Sequence, residues 1–120
     1  IFFINKIMKI SNFNNVKFIL GQNAQENWDI LDDAKKENEY YIWFHLNNFP
    51  SGYVIMYSAL SDLSDNVNDY LLFASNLCKN NTKYRNYNNL KICYTSLSKL
   101  NKTKNIGEII VKDKKQIIKL

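Results

Sequence analysis

Tyr40-Tyr41-Ile42-Trp43-Phe44-His45-Leu46 is the stretch that decides the fold. It is rich in aromatic residues and apolar on both faces, the signature of a strand in a sheet. Alternation puts Ile42, Phe44 and Leu46 on one face and Tyr41, Trp43 and His45 on the other. A turn through Asn47–Gly52 then leads to Tyr53–Tyr57, a second strand and its expected hairpin partner.

Helices are predicted on either side in sequence. Upstream, Val16–Leu20 reads as a strand closed by Gly21. Asn23 follows as an N-cap, with Glu26 three residues on, the spacing of a capping box. Trp28, Leu31 and Ala34 recur at helical spacing, and the helix should end near Lys36. Downstream, Leu63, Val67, Tyr70, Leu71, Ala74 and Leu77 form a core stripe of a second helix. Asp62, Asp65 and Asp69 lie toward its start and Lys79 at its end, as the helix dipole favours. Leu90–Tyr94 reads as a strand. Ile106–Val111 and Gln116–Leu120 read as a final hairpin around Asp113-Lys114-Lys115. The expected class is α+β, with a mixed, mostly antiparallel sheet and two amphipathic helices.

The 120 residues make one domain, 1–120, with no linker or repeat. Hydrophobic residues are 46% and charged residues 22%, which excludes a disordered tail. No apolar run approaches the ~20 residues of a membrane span. The start, Ile1–Ile10, is apolar but broken by Asn5, Lys6 and Lys9. It has no small-residue cleavage site, so no secretion signal is expected. Cys78 and Cys93 are too few for a disulfide framework or a zinc site, and both are expected in the core of a cytoplasmic protein. The asparagine doublets at 14–15, 47–48, 80–81 and 88–89 fall between apolar runs, where turns belong.

Charge is uneven. Residues 1–60 carry a net −1 and residues 61–120 a net +6. From Lys79 onward, eleven basic residues face only Glu108 and Asp113, a net +9. Such a basic third fits a polyanion partner, nucleic acid above all, and equally a solvated basic face. Lys79, Lys83, Arg85 and Lys91 interleave with Tyr84, Tyr87 and Tyr94, and Lys99, Lys102 and Lys104 sit in a polar loop. Cations hold phosphates, and tyrosines either stack on unpaired bases or pack in the core. One arginine gives little scope for bidentate guanine reading in a DNA groove, which tilts the expectation toward RNA while leaving DNA open. Gly21 ahead of the Asn23-capped helix is a weak phosphate signal. His45 is the only histidine, with no carboxylate placed beside it. Neither a catalytic residue nor a metal site is expected.

Four stretches carry a family likeness. They are Gly21-Gln22-Asn23-Ala24-Gln25-Glu26-Asn27, Ile42-Trp43-Phe44-His45, Pro50-Ser51-Gly52-Tyr53-Val54, and Tyr94-Thr95 followed by Lys99–Lys102 and Gly107-Glu108-Ile109. In that order and spacing, from about 16 to 120, the chain resembles the NFACT-R domain. This is the RNA-binding domain of ribosome-quality-control factors that extend stalled nascent chains, with stand-alone and coiled-coil relatives. The resemblance implies an α+β, non-enzymatic module for ribosomal or transfer RNA, without cofactor. Trp43 and His45 would form or support the recognition face, and Lys83, Arg85, Lys99, Lys102 and Lys104 would hold phosphates. Gly21, Asn23, Asn27, Ser51, Tyr94, Thr95 and Gly107 would be motif or structural positions. The chain departs from the family pattern at Tyr41, usually Asp, and at Tyr53, usually His. The alternative reading is a protein-interaction adaptor that docks on a ribosome or another large assembly without affinity for free RNA.

Overall fold

A computed structural model describes residues 9–120, so the reading of residues 1–8 lies outside it. The fold is α+β. The main sheet has six strands in the order β1-β2-β4-β3-β5-β8. These are β1 Lys9–Phe13, β2 Val16–Leu20, β3 Ile42–Leu46, β4 Val54–Met56, β5 Lys91–Ser96 and β8 Gln116–Lys119. Every described pair is antiparallel. A second, two-stranded sheet joins β6 Leu100–Lys102 to β7 Ile109–Val111.

β3 lies inside the sheet, flanked by β4 and β5, and both its faces are covered. Ile42, Phe44 and Leu46 face helix α2 (Val67–Asn80), in a core with Phe18, Leu20, Val54, Met56, Leu71, Ala74 and Cys78. Trp43 faces helix α1 (Ala24–Glu37) and the small sheet, in a second core with Ile30, Leu31, Ala34, Tyr53, Ile55, Leu97 and Leu100. The domain is therefore three layers deep, one helix on each side of the sheet. Both cysteines are buried and free, and burial pushes the Cys78 thiol up to about 12, which leaves it unreactive.

α1 forms as expected. The Asn23 side chain accepts from the Glu26 N–H at 2.9 Å, while Glu26 Oε1 accepts from the Gln22 N–H, one residue before the cap. Its buried stripe is Asn27, Ile30, Leu31 and Ala34, and Trp28 sits half-buried at its margin.

Three expectations are corrected, and one strand is added. Leu63 has the spacing of α2 but lies before it, because Asn66 adopts a left-handed conformation (φ 53°) that no right-handed helix can pass through. The chain makes one 3-10 turn at Leu60–Asp62 instead. Residues 106–111 and 116–120 do not form a hairpin. β7 pairs with β6, and β8 crosses back to pair with β5, Ile92 opposite Ile118. The reason is burial on opposite layers: Ile109 and Val111 pack on the α1 side, Ile118 and Leu120 on the α2 side. Lys99 and Lys102 are not in a loop. Leu97 and Leu100, 0% and 1% exposed, pin this segment as a 3-10 turn and a strand. Finally, β1 went unforeseen. It is joined to β2 by Asn14 and Asn15, both with positive φ, the two-residue turn that matches strand twist.

Five non-glycine residues have positive φ among the described residues, and all are asparagine: 14, 15, 48, 66 and 89. Asparagine tolerates that region through local side-chain hydrogen bonding.

Candidate nucleic-acid interface

Asn27, on the first turns of α1, is 6% exposed, and its Oδ1 accepts the Tyr53 N–H at 3.0 Å. The Gly21 N–H donates to the Tyr53 carbonyl at 2.9 Å. At Gly52 a Cβ would fall 1.9 Å from the Gly21 carbonyl oxygen, so only hydrogen fits between these two backbones. Gly107 (φ +83°) lies against Ala24, where a Cβ would meet the Ala24 Cβ at 2.7 Å. The Tyr53 hydroxyl donates to the Gly107 carbonyl at 2.6 Å. Motif positions far apart in sequence thus form one knot, which fixes the strand–helix junction to the β6–β7 loop.

Two clefts adjoin across this knot, sharing Pro50 and Gly107. One, of about 590 Å³, is lined by Asn23, Asn27, Ser51, Thr82, Lys83 and Tyr84 among others. The other, of about 610 Å³, is lined by Trp43, His45, Phe49, Tyr53, Glu108 and Lys115 among others. Trp43 and His45 stack at 5.6 Å, and the Tyr53 ring stands edge-on to both. Phe49, Tyr84 and Tyr87 form an aromatic cluster beside the Pro50 turn, with Tyr87 51% exposed.

The predicted residues do not all meet. Lys83 reaches the first cleft with Asn23, Asn27, Ser51 and Gly107. Arg85 is exposed nearby in sequence, its guanidinium 3.4 Å from the Thr82 carbonyl. Lys99 pairs with Asp113 at 3.3 Å, and Lys102 pairs with Asp32 at 2.8 Å and sits over the Trp28 ring. Lys104 is exposed. Tyr94 stacks on Phe44 and supports the core, and Thr95 pairs with Trp43 across β5 and β3. Gly21 does not offer its N–H to a phosphate, because Tyr53 already holds it, and the Gln22 N–H is held by Glu26. The departures also have local partners: Tyr41 donates to Glu37 at 2.6 Å, a bond that pushes its phenol up to about 12. Phe49, Glu108 and Lys115 were not anticipated. The Asn47–Gly52 turn and the Gly107-Glu108-Ile109 motif were in view, but only the crossing of residues 112–115 between the two sheets brings Lys115 to the cleft.

His45 Nδ1 lies 2.6 Å from the Leu46 carbonyl oxygen, a distance that requires the proton on Nδ1 and leaves Nε2 as an acceptor. Burial lowers its pKa below 6.5, against the opposing effects of the Leu46 and Ser51 carbonyls, with Lys115 lowering it further. The neutral ring is thus the folded form's preference. Since the unfolded chain binds the extra proton more readily, stability is full above about pH 6.5 and is lost as pH falls toward the lower folded value. The melting temperature is expected to drop below pH 6.5, and a His45→Gln variant should lose that part of the drop. A wild-type profile flat from pH 7 to pH 5 would contradict the assignment.

No known protein family's sequence profile matches the chain, and no curated protein matches it. Among solved structures it is similar to the C-terminal part of the fibronectin/fibrinogen-binding protein from Streptococcus suis, with a TM-score of 0.72 over 88% of this chain. The identity is 19%, which speaks for the fold alone, and the match spans 40% of that chain. Among the described residues, no helix is long and apolar enough to cross a membrane, and no group of His, Cys, Asp and Glu is arranged to hold a metal ion.

Proposed function

We propose that this domain is a non-enzymatic RNA-binding module acting on ribosomal or transfer RNA in translation quality control. The observation that carries the reading is a pair of adjoining clefts with a cation on each, Lys83 and Lys115, in a C-terminal third of net charge +9. Aromatic side chains line both. Cations on a rim and rings within it suit an unpaired strand, whose phosphates need charge and whose bases need faces. The likeness of the four motifs to NFACT-R domains supports the same reading.

Binding to a labelled transfer RNA, a single-stranded RNA and a duplex DNA of matched charge, each at low and near-physiological salt, tests it. We expect micromolar or tighter RNA binding, a preference over DNA, and a log–log salt slope of roughly −3 or steeper. Replacing Lys83, Arg85 and Lys115 together by Gln should weaken RNA binding about tenfold and make the slope shallower by about 2 to 3. Replacing Lys99, Lys102 and Lys104 should do less, because Lys99 and Lys102 already face acids. No RNA binding at low salt would refute the reading.

The second reading is a protein adaptor. Ile106 and Ile110, 58% and 59% exposed on and beside the small sheet, favour it. It predicts no affinity for free RNA and recovery of a protein partner that Ile110→Lys would abolish.

A further inference from the structure

From residue 79 onward the chain has two acids, and they are used differently. Asp113 is paired with Lys99. Glu108 makes no salt bridge among the described residues. Its Oε1 accepts from Thr103 Oγ1 and Asn105 Nδ2, each at 2.8 Å, and these bonds hold the carboxyl ionised. Oε2 has no protein partner among the described residues. The carboxylate is thus oriented by its own loop, without a cation, in the wall of the Trp43–His45–Tyr53 cleft.

The Trp43 Nε1–H there is buried without a partner among the described residues, and three other polar groups have settled roles. The Tyr53 hydroxyl is engaged as a donor to Gly107. His45 offers Nε2 as an acceptor, its Nδ1–H being held by Leu46. Lys115 reaches Asn47 Oδ1 at 3.1 Å. Apart from Asn48, the remaining side chains of the lining are apolar or aromatic, including Phe49, Pro50, Ile109 and Val111. A fixed negative charge repels a phosphate. An apolar wall with two acceptors attracts a flat group that carries N–H donors on its edge.

We propose that this cleft reads a single unpaired nucleobase through its N–H donors, guanine first, with Glu108 accepting from N1–H and the 2-amino group. This rests on the RNA-binding reading and adds base selectivity to it. Guanine presents two adjacent donors on its Watson–Crick edge, which can share Oε2, since Oε1 already accepts two bonds. Uracil presents one donor between two carbonyls, which the carboxylate repels. Lys115 lies on the same cleft, where the flanking phosphate would approach.

The test uses the whole 120-residue chain and four single-stranded RNA hexamers, oligouridine with G, A, C or U at the third position, read by fluorescence anisotropy at low salt. We expect the G hexamer to bind about tenfold tighter than the U hexamer. Glu108→Gln keeps an amide oxygen for Thr103 and Asn105 but places an N–H donor where Oε2 was. It should bring the G and U hexamers to within about twofold of each other. If the wild type binds all four hexamers alike, or Glu108→Gln keeps the full preference for G, base reading by Glu108 is overturned and the RNA module stands. If the wild type binds no hexamer and no transfer RNA, both fall.

Discussion

Phe44→Ala is expected to cost about 3 to 5 kcal/mol, enough to unfold much of the population at ordinary temperature. Phe44 is wholly buried at the middle of β3, stacked on Tyr94 at 5.5 Å and surrounded by the α2-side core. Neighbouring strands on both sides are held by ladder hydrogen bonds, so the cavity cannot close by a backbone shift. The conservative Phe44→Leu should cost about 1 kcal/mol, since most of the volume stays filled. Urea denaturation followed by circular dichroism distinguishes the two. A Phe44→Ala midpoint close to wild type would mean that α2 is free to settle onto the sheet, and that the two cores are less rigid than their burial implies.

Gly52→Ala should be nearly as damaging, at about 3 kcal/mol, or roughly 10 °C in melting temperature. Overlap of the new methyl with the Gly21 carbonyl is severe, at 1.9 Å, and the obstacle is backbone. Relief requires moving Gly21, which would break its bond to Tyr53 and press on Asn27. Asn27 then loses the buried Tyr53 N–H, and an unpaired buried donor adds its own penalty. Because the same knot orients both clefts, nucleic-acid affinity should fall in the folded fraction as well. A variant that melts within about 2 °C of wild type would show that the junction is loosely held.

The strand β3 and the α+β class were legible from a stretch apolar on both faces, whereas its cover by one helix on each side emerges only in the fold. Alternation also placed Trp43 and His45 together, and the Asn23–Glu26 spacing located the start of α1. The failures were of two kinds. Leu63 obeyed the helical period, but a left-handed Asn66 ended the helix, and no periodicity reports a single dihedral angle. β7 and β8 were paired with each other because they are neighbours in sequence. Their partners β6 and β5 were chosen by which core each could fill, a non-local property. The same non-locality hid Lys115 and separated Lys99 and Lys102 from Lys83. Glu108 stood in a motif, yet its role depends on Thr103 and Asn105 holding one oxygen and leaving the other.

The five asparagines with positive φ carry an evolutionary consequence. Left-handed positions normally go to glycine, and this chain has only three glycines. Asparagine restricts the unfolded chain more than glycine does, so each such turn begins folding from a narrower ensemble. A lineage whose composition drifts toward asparagine and lysine can therefore keep this topology, as long as the drift stops at Gly21, Gly52 and Gly107. Among the turn and close-contact positions, those three mark the boundary of neutral change: the left-handed asparagine turns can follow mutation, and at the three glycines the residue must follow the fold.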